Sequence, residues 1–287
     1  MVIDMHVHPL LYQEIYQSGS GPTGFETWES EFGMGHMGPM GFDELEAEMN
    51  AGDISRSVLL PIDLTATTGS ALATNEQIAH LVEAHPDRLW GFASVDPHRA
   101  DAANVLEQSF LELGAKGLCL HPAKQCFDPS DPELESLYKL CEEHNRPVLF
   151  EAGLSWEPAA PLNNSNPLTF ERAIMMHPDV RFCLAHFAWP WVREMVALML
   201  KYPNCYTDTS ITYLDAPKEM MLRLFTVDMG PLWYERSLLH QVMFGSNTPR
   251  FRAFKLKGAL DAVPMSKEAR ENLYWRTALR FLEGEGA

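Results

Sequence analysis

Two histidines two residues apart, His6 and His8, close a short apolar run at the start of the chain, Val2-Ile3-Asp4-Met5-His6. In an extended strand, residues two apart point to the same side, so both imidazoles can face one point and make half of a metal site. The spacing is common by itself, and its weight comes from its place at the end of a first strand. Other apolar runs end in groups of similar chemistry: Leu120 is followed by His121, Phe150 by Glu151, Ala185 by His186, and Gly245 by Ser246-Asn247-Thr248-Pro249. A carboxylate such as Glu151, directly after an apolar strand, is costly to bury unless it is paired, protonated or bound to a cation. For His121, a core histidine bonded to backbone competes with a functional one. Arg250 and Arg252 follow the last run, where a guanidinium either holds a substrate carboxylate in bidentate fashion or sits at a solvated helix start. Phe187, Trp189 and Trp191 follow His186 and read either as the lining of an aromatic-substrate pocket or as packing.

The elements that must position these groups are short β-rich runs alternating with helical patterns from end to end, the mark of β-then-α units around a parallel sheet. Eight runs read as strands: Val2–His6, Ser57–Leu60, Leu89–Ala93, Gly117–Leu120, Pro147–Phe150, Arg181–Ala185, Cys205–Asp208 and Gln241–Gly245. Between them, stretches such as Ala73–Glu83 and Asp101–Leu113 place apolar residues at steps of three and four. His85-Pro86-Asp87, His177-Pro178-Asp179 and Tyr202-Pro203-Asn204 each put a proline between a helical pattern and a strand, a recurring helix-to-strand turn. A single-domain (β/α)8 barrel spanning residues 1–287 is therefore expected. An open doubly wound sheet is the fallback, and it lacks a Gly-rich phosphate fingerprint after the first strand. In such a barrel the chemistry sits at the C-terminal ends of the strands, where the polar groups above fall. The Gly- and Met-rich segment 17–41, with Met34, Met37 and Met40, has the length of a lid over the barrel mouth or of a disordered loop. Residues 156–166 read as a second long loop.

The 287 residues are 46% hydrophobic and 21% charged, within the globular range. With 22 Lys+Arg against 39 Asp+Glu, the net charge is −17, which disfavours nucleic acid as a partner. No apolar run reaches the roughly 18 residues of a membrane span, and the start Met1-Val2-Ile3-Asp4 lacks a basic leader, so a cytoplasmic protein with a small-molecule substrate is expected. The five cysteines form no CxxC, and Cys119, Cys183 and Cys205 lie in strand-like runs as reduced core thiols.

The combination resembles the amidohydrolase superfamily, in its amidohydrolase-related branch of aromatic-acid decarboxylases, carbon–carbon hydrolases and lactonases. The resemblance rests on Ile3-Asp4-Met5-His6-Val7-His8, Arg88–Pro97, Gly117–Pro122, Leu184-Ala185-His186 and Phe244-Gly245-Ser246-Asn247-Thr248-Pro249. It implies one divalent metal ion, zinc first and manganese second, held by the first-strand pair, a fifth-strand histidine and an eighth-strand aspartate. Here those last two positions carry Glu151 and Asn247. One reading is decay to a metal-free small-molecule binding barrel. The other is relocation: His6, His8 and Glu151 form the ligand set, Asn247 is a weak oxygen ligand or hydrogen-bond partner, and the summed charge of the ligands stays at −1. An asparagine cannot take a proton, so His186 becomes the group that activates metal-bound water, a role matching the sixth-strand histidine of the resembling enzymes. Asp208, closing the seventh strand, suits a bond to one of the histidines. The expected activity is hydrolysis of a small carboxylated or cyclic substrate, with His121, Arg250 and Trp189 as substrate contacts. Non-oxidative decarboxylation of an aromatic or unsaturated carboxylic acid is the alternative, and a homodimer is the family-level expectation.

Overall fold

A computed structural model describes residues 1–17, 37–155, 161–211, 215–230 and 232–284. Eight parallel strands line up in chain order: β1 (Ile3–Val7), β2 (Arg56–Leu59), β3 in two pieces (Leu89–Gly91 and Ala93–Ser94), β4 (Leu118–Leu120), β5 (Val148–Phe150), β6 (Phe182–Leu184), β7 (Cys205–Asp208) and β8 (Val242–Met243). The ladder runs β1-β2-β3 and then β3 through β8. Beyond the end of β8 the backbone bonds back to the first strand, with Met5 N–H donating to Phe244 O at 2.9 Å, Asn247 N–H to His6 O at 3.0 Å and His8 N–H to Thr248 O at 2.8 Å. The fold is the expected (β/α)8 barrel.

Helices return the chain between strands: α1 (Phe42–Ala51), α2 (Asn75–Ala84), α3 (Ala102–Leu111), α4 (Glu135–Glu143), α5 (Glu171–Met176), α6 (Val192–Lys201) and α7 (Pro217–Arg223). After β8 come α8 (Ala253–Asp261), a short turn of helix at Lys267–Glu271, and the terminal α9 (Thr277–Glu283). Helix α2 starts where Thr74 and Gln77 cap each other's backbone N–H groups, satisfying donors that the first turn leaves open. The three proline-bearing turns do as the sequence suggests. His85, His177 and Tyr202 are the C-terminal caps of α2, α5 and α6, and strands follow within a few residues.

Side chains fill the barrel interior. Ile3, Met5, Val58, Leu60, Phe92, Cys119, Leu149, Cys183, Tyr206 and Met243 form one buried cluster, closed from below by Ala278 and Phe281 of α9. All five cysteines are free thiols, and only Cys126 is exposed. No helix among the described residues is long and apolar enough to cross a membrane.

The expected lid at 17–41 lies mostly outside the described residues. Its far end is tied down: Met40 exchanges backbone bonds with Leu11 and Gln13, and Met37 and Met40 pack on the cluster around Leu10, Leu11 and Ile15. Of the loop expected at 156–166, residues 156–160 lie outside the described residues, and Leu162–Ser165 forms a 3-10 turn.

One glycine is required by the fold beside the site. Gly153 has φ of +82°, and a Cβ there would fall 2.6 Å from the Trp189 carbonyl oxygen and 2.7 Å from the Ala188 carbonyl carbon. A side chain must therefore push β5's exit away from β6's exit while adopting a left-handed backbone. Gly153→Ala is expected to destabilise the protein by about 2–4 kcal/mol, read as a loss of urea midpoint at unchanged slope.

Candidate functional site

The barrel mouth collects its polar side chains from six strand ends, β1 and β4 through β8. β1 does so with an irregularity: Asp4 pairs with Ser57 but Val7 pairs with Leu59, so three residue steps on β1 match two on β2. The extra residue lets Met5 point into the apolar interior while the next residue, His6, also turns inward. His6 and His8 then converge, with Nε2 atoms 3.3 Å apart and ring centroids at 5.1 Å.

Each imidazole has its outer nitrogen occupied. His8 Nδ1 faces the Leu60 carbonyl oxygen at 3.1 Å, which makes Nδ1 the donor and leaves the Nε2 lone pair toward the mouth. Burial lowers the pKa of His8, keeping it neutral. His6 Nδ1 donates to Asp208 Oδ2 at 3.0 Å, and its Nε2 lies 3.0 Å from Glu151 Oε1. Burial opposes a charge on His6, but the two carboxylates outweigh it and push its pKa up to about 10.

Glu151 is the first residue beyond β5, fixed by its N–H bond to the Leu120 carbonyl oxygen at 2.9 Å. Its Oε2 meets His186 Nε2 at 2.7 Å and its Oε1 lies 3.4 Å from His8 Nε2. Burial favours the acid form, but His6 and His186 overcome it and hold the carboxyl well below the usual range. Oε1 is nonetheless buried without a properly directed hydrogen bond, and so is Oδ1 of Asn247.

His186 begins a left-handed turn in which His186, Phe187 and Ala188 have φ of 63°, 53° and 46°. Such residues cost on the order of 1–3 kcal/mol each and persist where the surroundings fix them. Here Asp208 Oδ1 accepts the His186 N–H at 2.9 Å, and the Ala188 and Trp189 N–H groups bond back to Ala185 and His186. His186 Nδ1 donates to the Ser210 carbonyl oxygen, which leaves Nε2 facing Glu151. Asn247 has φ of 62°, a conformation asparagine tolerates well, and its Nδ2 reaches the Ser210 carbonyl at 3.4 Å.

Among the described residues, two sets of donor atoms lie within 4.8 Å of one another, His6, His8 and Glu151, and His6, His186 and Asp208. The first set has its donors turned inward, with orphaned oxygens of Glu151 and Asn247 beside them, and suits a divalent cation. In the second, His6 Nδ1 and Asp208 already bond to each other, the carboxylate–histidine pairing that orients a ligating imidazole from behind.

The remaining expected contacts divide. His121 stands at the end of β4, where its Nδ1 accepts the Lys124 N–H at 3.3 Å. Burial and the nearby Lys124 charge lower its pKa to about 3, so it presents a neutral Nε2–H donor. Trp189 is half-buried against the main core cluster. The Arg250 guanidinium lies over the Phe251 ring at 5.8 Å. For two residues the structure decides between readings that the sequence left open. Arg252 is turned to α1, where it pairs with Glu48 and reaches Met37 Sδ at 3.7 Å, because a carboxylate is available on that helix. Phe187 is fully buried, edge-on to Phe225, and is core packing.

Sequence reasoning missed Ser210 and Asp4. Ser210 Oγ bonds His186 Nδ1 at 2.8 Å and His6 Nδ1 at 3.1 Å and also reaches Asp208. The signal was present: Thr207, Asp208, Thr209 and Ser210 are consecutive polar residues ending an otherwise apolar strand, and all four are fully buried. Asp4 accepts the Ser246 and His6 N–H groups at 2.8 and 3.2 Å, and burial raises its pKa to about 6.

The same architecture recurs among solved structures. An uncharacterized TIM-barrel protein from Bordetella bronchiseptica is 20% identical, with 100% of this chain and 99% of that chain covered and a TM-score of 0.72. A 5-carboxyvanillate decarboxylase from Novosphingobium aromaticivorans, an Asp-to-Asn mutant with bound manganese and 3-methoxy-4-hydroxy-5-nitrobenzoic acid, is 15% identical, with 98% and 97% covered and a TM-score of 0.67. A 2,6-dihydroxybenzoate decarboxylase from Rhizobium is 14% identical, with 99% of both chains covered and a TM-score of 0.66. No curated protein matches. The sequence itself matches the family described as Amidohydrolase over residues 3–284, nearly its whole length. By that match, this chain belongs to the amidohydrolase family.

Proposed function

We propose that this protein is a metal-dependent, non-oxidative decarboxylase of a small aromatic carboxylic acid. The observation that carries the reading is the inward-facing set of His6, His8 and Glu151, where Glu151 Oε1 and Asn247 Oδ1 are buried without a directed hydrogen bond, in a barrel whose named neighbours include decarboxylases of hydroxylated benzoates. Hydrolysis, the first expectation from sequence, takes second place because of those neighbours. His6, His8 and Glu151 would hold the cation, zinc or manganese, with the Asn247 carbonyl as a further oxygen. When bound, it supplies Lewis-acid charge for the oxygens of the substrate.

The chain's own groups account for the remainder. The neutral Nε2–H of His121 donates to a substrate oxygen, and Arg250 offers a guanidinium to a carboxylate. The bond from ring carbon to carboxylate breaks, its electron pair stays with the ring, and carbon dioxide leaves. His186 in its imidazolium form, with Nδ1–H fixed on the Ser210 carbonyl, gives its Nε2 proton to that ring carbon, and solvent restores it. Asn247 cannot act as the acid, which makes His186 the proton donor.

Four outcomes test this. Glu151→Gln is expected to lower zinc or manganese occupancy per chain, measured by elemental mass spectrometry, while Asn247→Ala lowers it less; equal, full occupancy in Glu151→Gln would exclude Glu151 as a ligand. In metal-free protein His6 keeps a proton on Nε2 up to a pKa of about 10, and a cation must displace it. Affinity is therefore expected to rise with pH below that value, by about tenfold per unit, with roughly one proton released per ion in calorimetry across buffers of different ionisation enthalpy. His186→Asn is expected to cut carbon dioxide release from 2,6-dihydroxybenzoate or 5-carboxyvanillate by about 10²–10⁴-fold while metal stays bound. In heavy water the wild type should place deuterium on the ring carbon. Turnover of lactones or amides without carbon dioxide would reverse the order of the two readings.

A further inference from the structure

At the opposite end of the barrel, where strands begin, a pocket of about 320 Å³ is lined by Trp90, Lys116, His144, Asn145, Arg146, Leu282 and Glu283. Lys116 precedes β4, Arg146 precedes β5, and Arg181, which precedes β6, reaches Asn145 Oδ1 at 2.6 Å from beside it. These cations gather in a chain whose net charge is −17, so the average surface would give them carboxylate partners.

Cations at this end of a barrel often serve the carbonyl ends of the helices. Arg181 does so: its Nε donates to Phe281 O at 2.6 Å and its Nη2 to Asn145 O at 2.9 Å. Arg146 and Lys116 do not. Neither side chain has a hydrogen-bond or ion-pair partner among the described residues, and Arg146 Nε is buried without one. Burial lowers the pKa of the Arg181 guanidinium, and the nearby charge of Arg146 lowers it further. The one carboxylate on the wall, Glu283, is exposed and pairs with neither. Trp90 supplies a flat wall, with Arg56 over its ring at 4.7 Å.

We propose that this pocket is an anion-binding site, separate from the mouth, in which Arg146 and Lys116 take the oxygens of a small phosphate or dicarboxylate. An anion there satisfies the buried Nε and screens the neighbouring charges of Arg146 and Arg181. Trp90 and Leu282 give it an apolar side for a carbon skeleton.

The test is calorimetric titration of the full chain with inorganic phosphate and, separately, with malonate, in low-chloride buffer. One site is expected, weakened about tenfold or more by Arg146→Ala and tightened by Glu283→Gln, which removes the only negative charge that the described residues place on the wall. Lys267→Ala, whose side chain is 91% exposed elsewhere, should leave binding unchanged. Binding of phosphate that depends on Arg146 assigns phosphorylated ligands, and binding of malonate alone assigns dicarboxylates. Absence of both, or binding that is the same in Arg146→Ala and Glu283→Gln as in wild type, overturns the proposal. Thermal melts of each variant separate a lost site from a lost fold.

Discussion

Asp208 is fully buried at the end of β7, and both of its oxygens are committed to the groups that would do chemistry. Oδ2 holds His6 Nδ1, while Oδ1 accepts the backbone N–H groups of His186 and Ser210 and the Ser210 hydroxyl. Burial alone would favour its protonated form, but the charge and hydrogen bond of His6 keep it ionised. A carboxylate so placed does two jobs at once. It makes Nδ1 the protonated nitrogen of His6, which turns the other ring nitrogen to the mouth, and it anchors the strained turn that carries His186. The backbone must come close for this to work: a Cβ on Gly245 would lie 3.0 Å from His6 Cβ and 3.1 Å from Asp208 Cγ. Glycine at that position is what lets β8 pass between β7 and β1.

Asp4 plays the matching part on the other side of β1. It fixes the Ser246 backbone and the N–H of His6, and Asn247 follows directly, so the placement of His6 and that of Asn247 share one anchor. The bulge in β1 and the bonds that join β8 back to β1 meet at this anchor. The closure of the barrel and the shape of its mouth therefore depend on the same few polar contacts. That also explains why a carboxylate sits in a strand otherwise buried among apolar side chains.

Much of this was legible in the sequence. Eight strand-like runs with polar endings led to the barrel, because hydrophobic runs and proline turns are local signals that the tertiary structure left intact. The convergence of His6, His8, Glu151, His186 and Asn247 followed from the rule that barrel strands present their ends to one mouth. The route by which His6 arrives there was not legible. Alternation alone would put His6 and Asp4 on one face, and the bulge that separates them is set by pairing with β2. Phe187, following His186, read as pocket lining or as packing, and three successive left-handed residues turn it into the core. Arg252 read as a substrate contact or as a solvated helix start, because Glu48, its partner, is distant in sequence. Each choice turned on a long-range partner, and no window of the sequence contains one.

The departure from the family pattern becomes intelligible as a charge balance in a dry site. In metal-free protein, a protonated His6 stands between two carboxylates, Glu151 and Asp208, and His186 beside Glu151 helps keep that carboxyl ionised. A divalent cation in place of the Nε2 proton would bring one more positive charge to the same two carboxylates. An aspartate at position 247 in addition to Glu151 would add a third carboxylate to the same buried volume. Asn247 keeps an oxygen at that point and the left-handed backbone that presents it, without the charge. The carboxylate on β5 and the amide after β8 thus fit the proposed ligand set of His6, His8 and Glu151, to which the amide adds an oxygen without a charge.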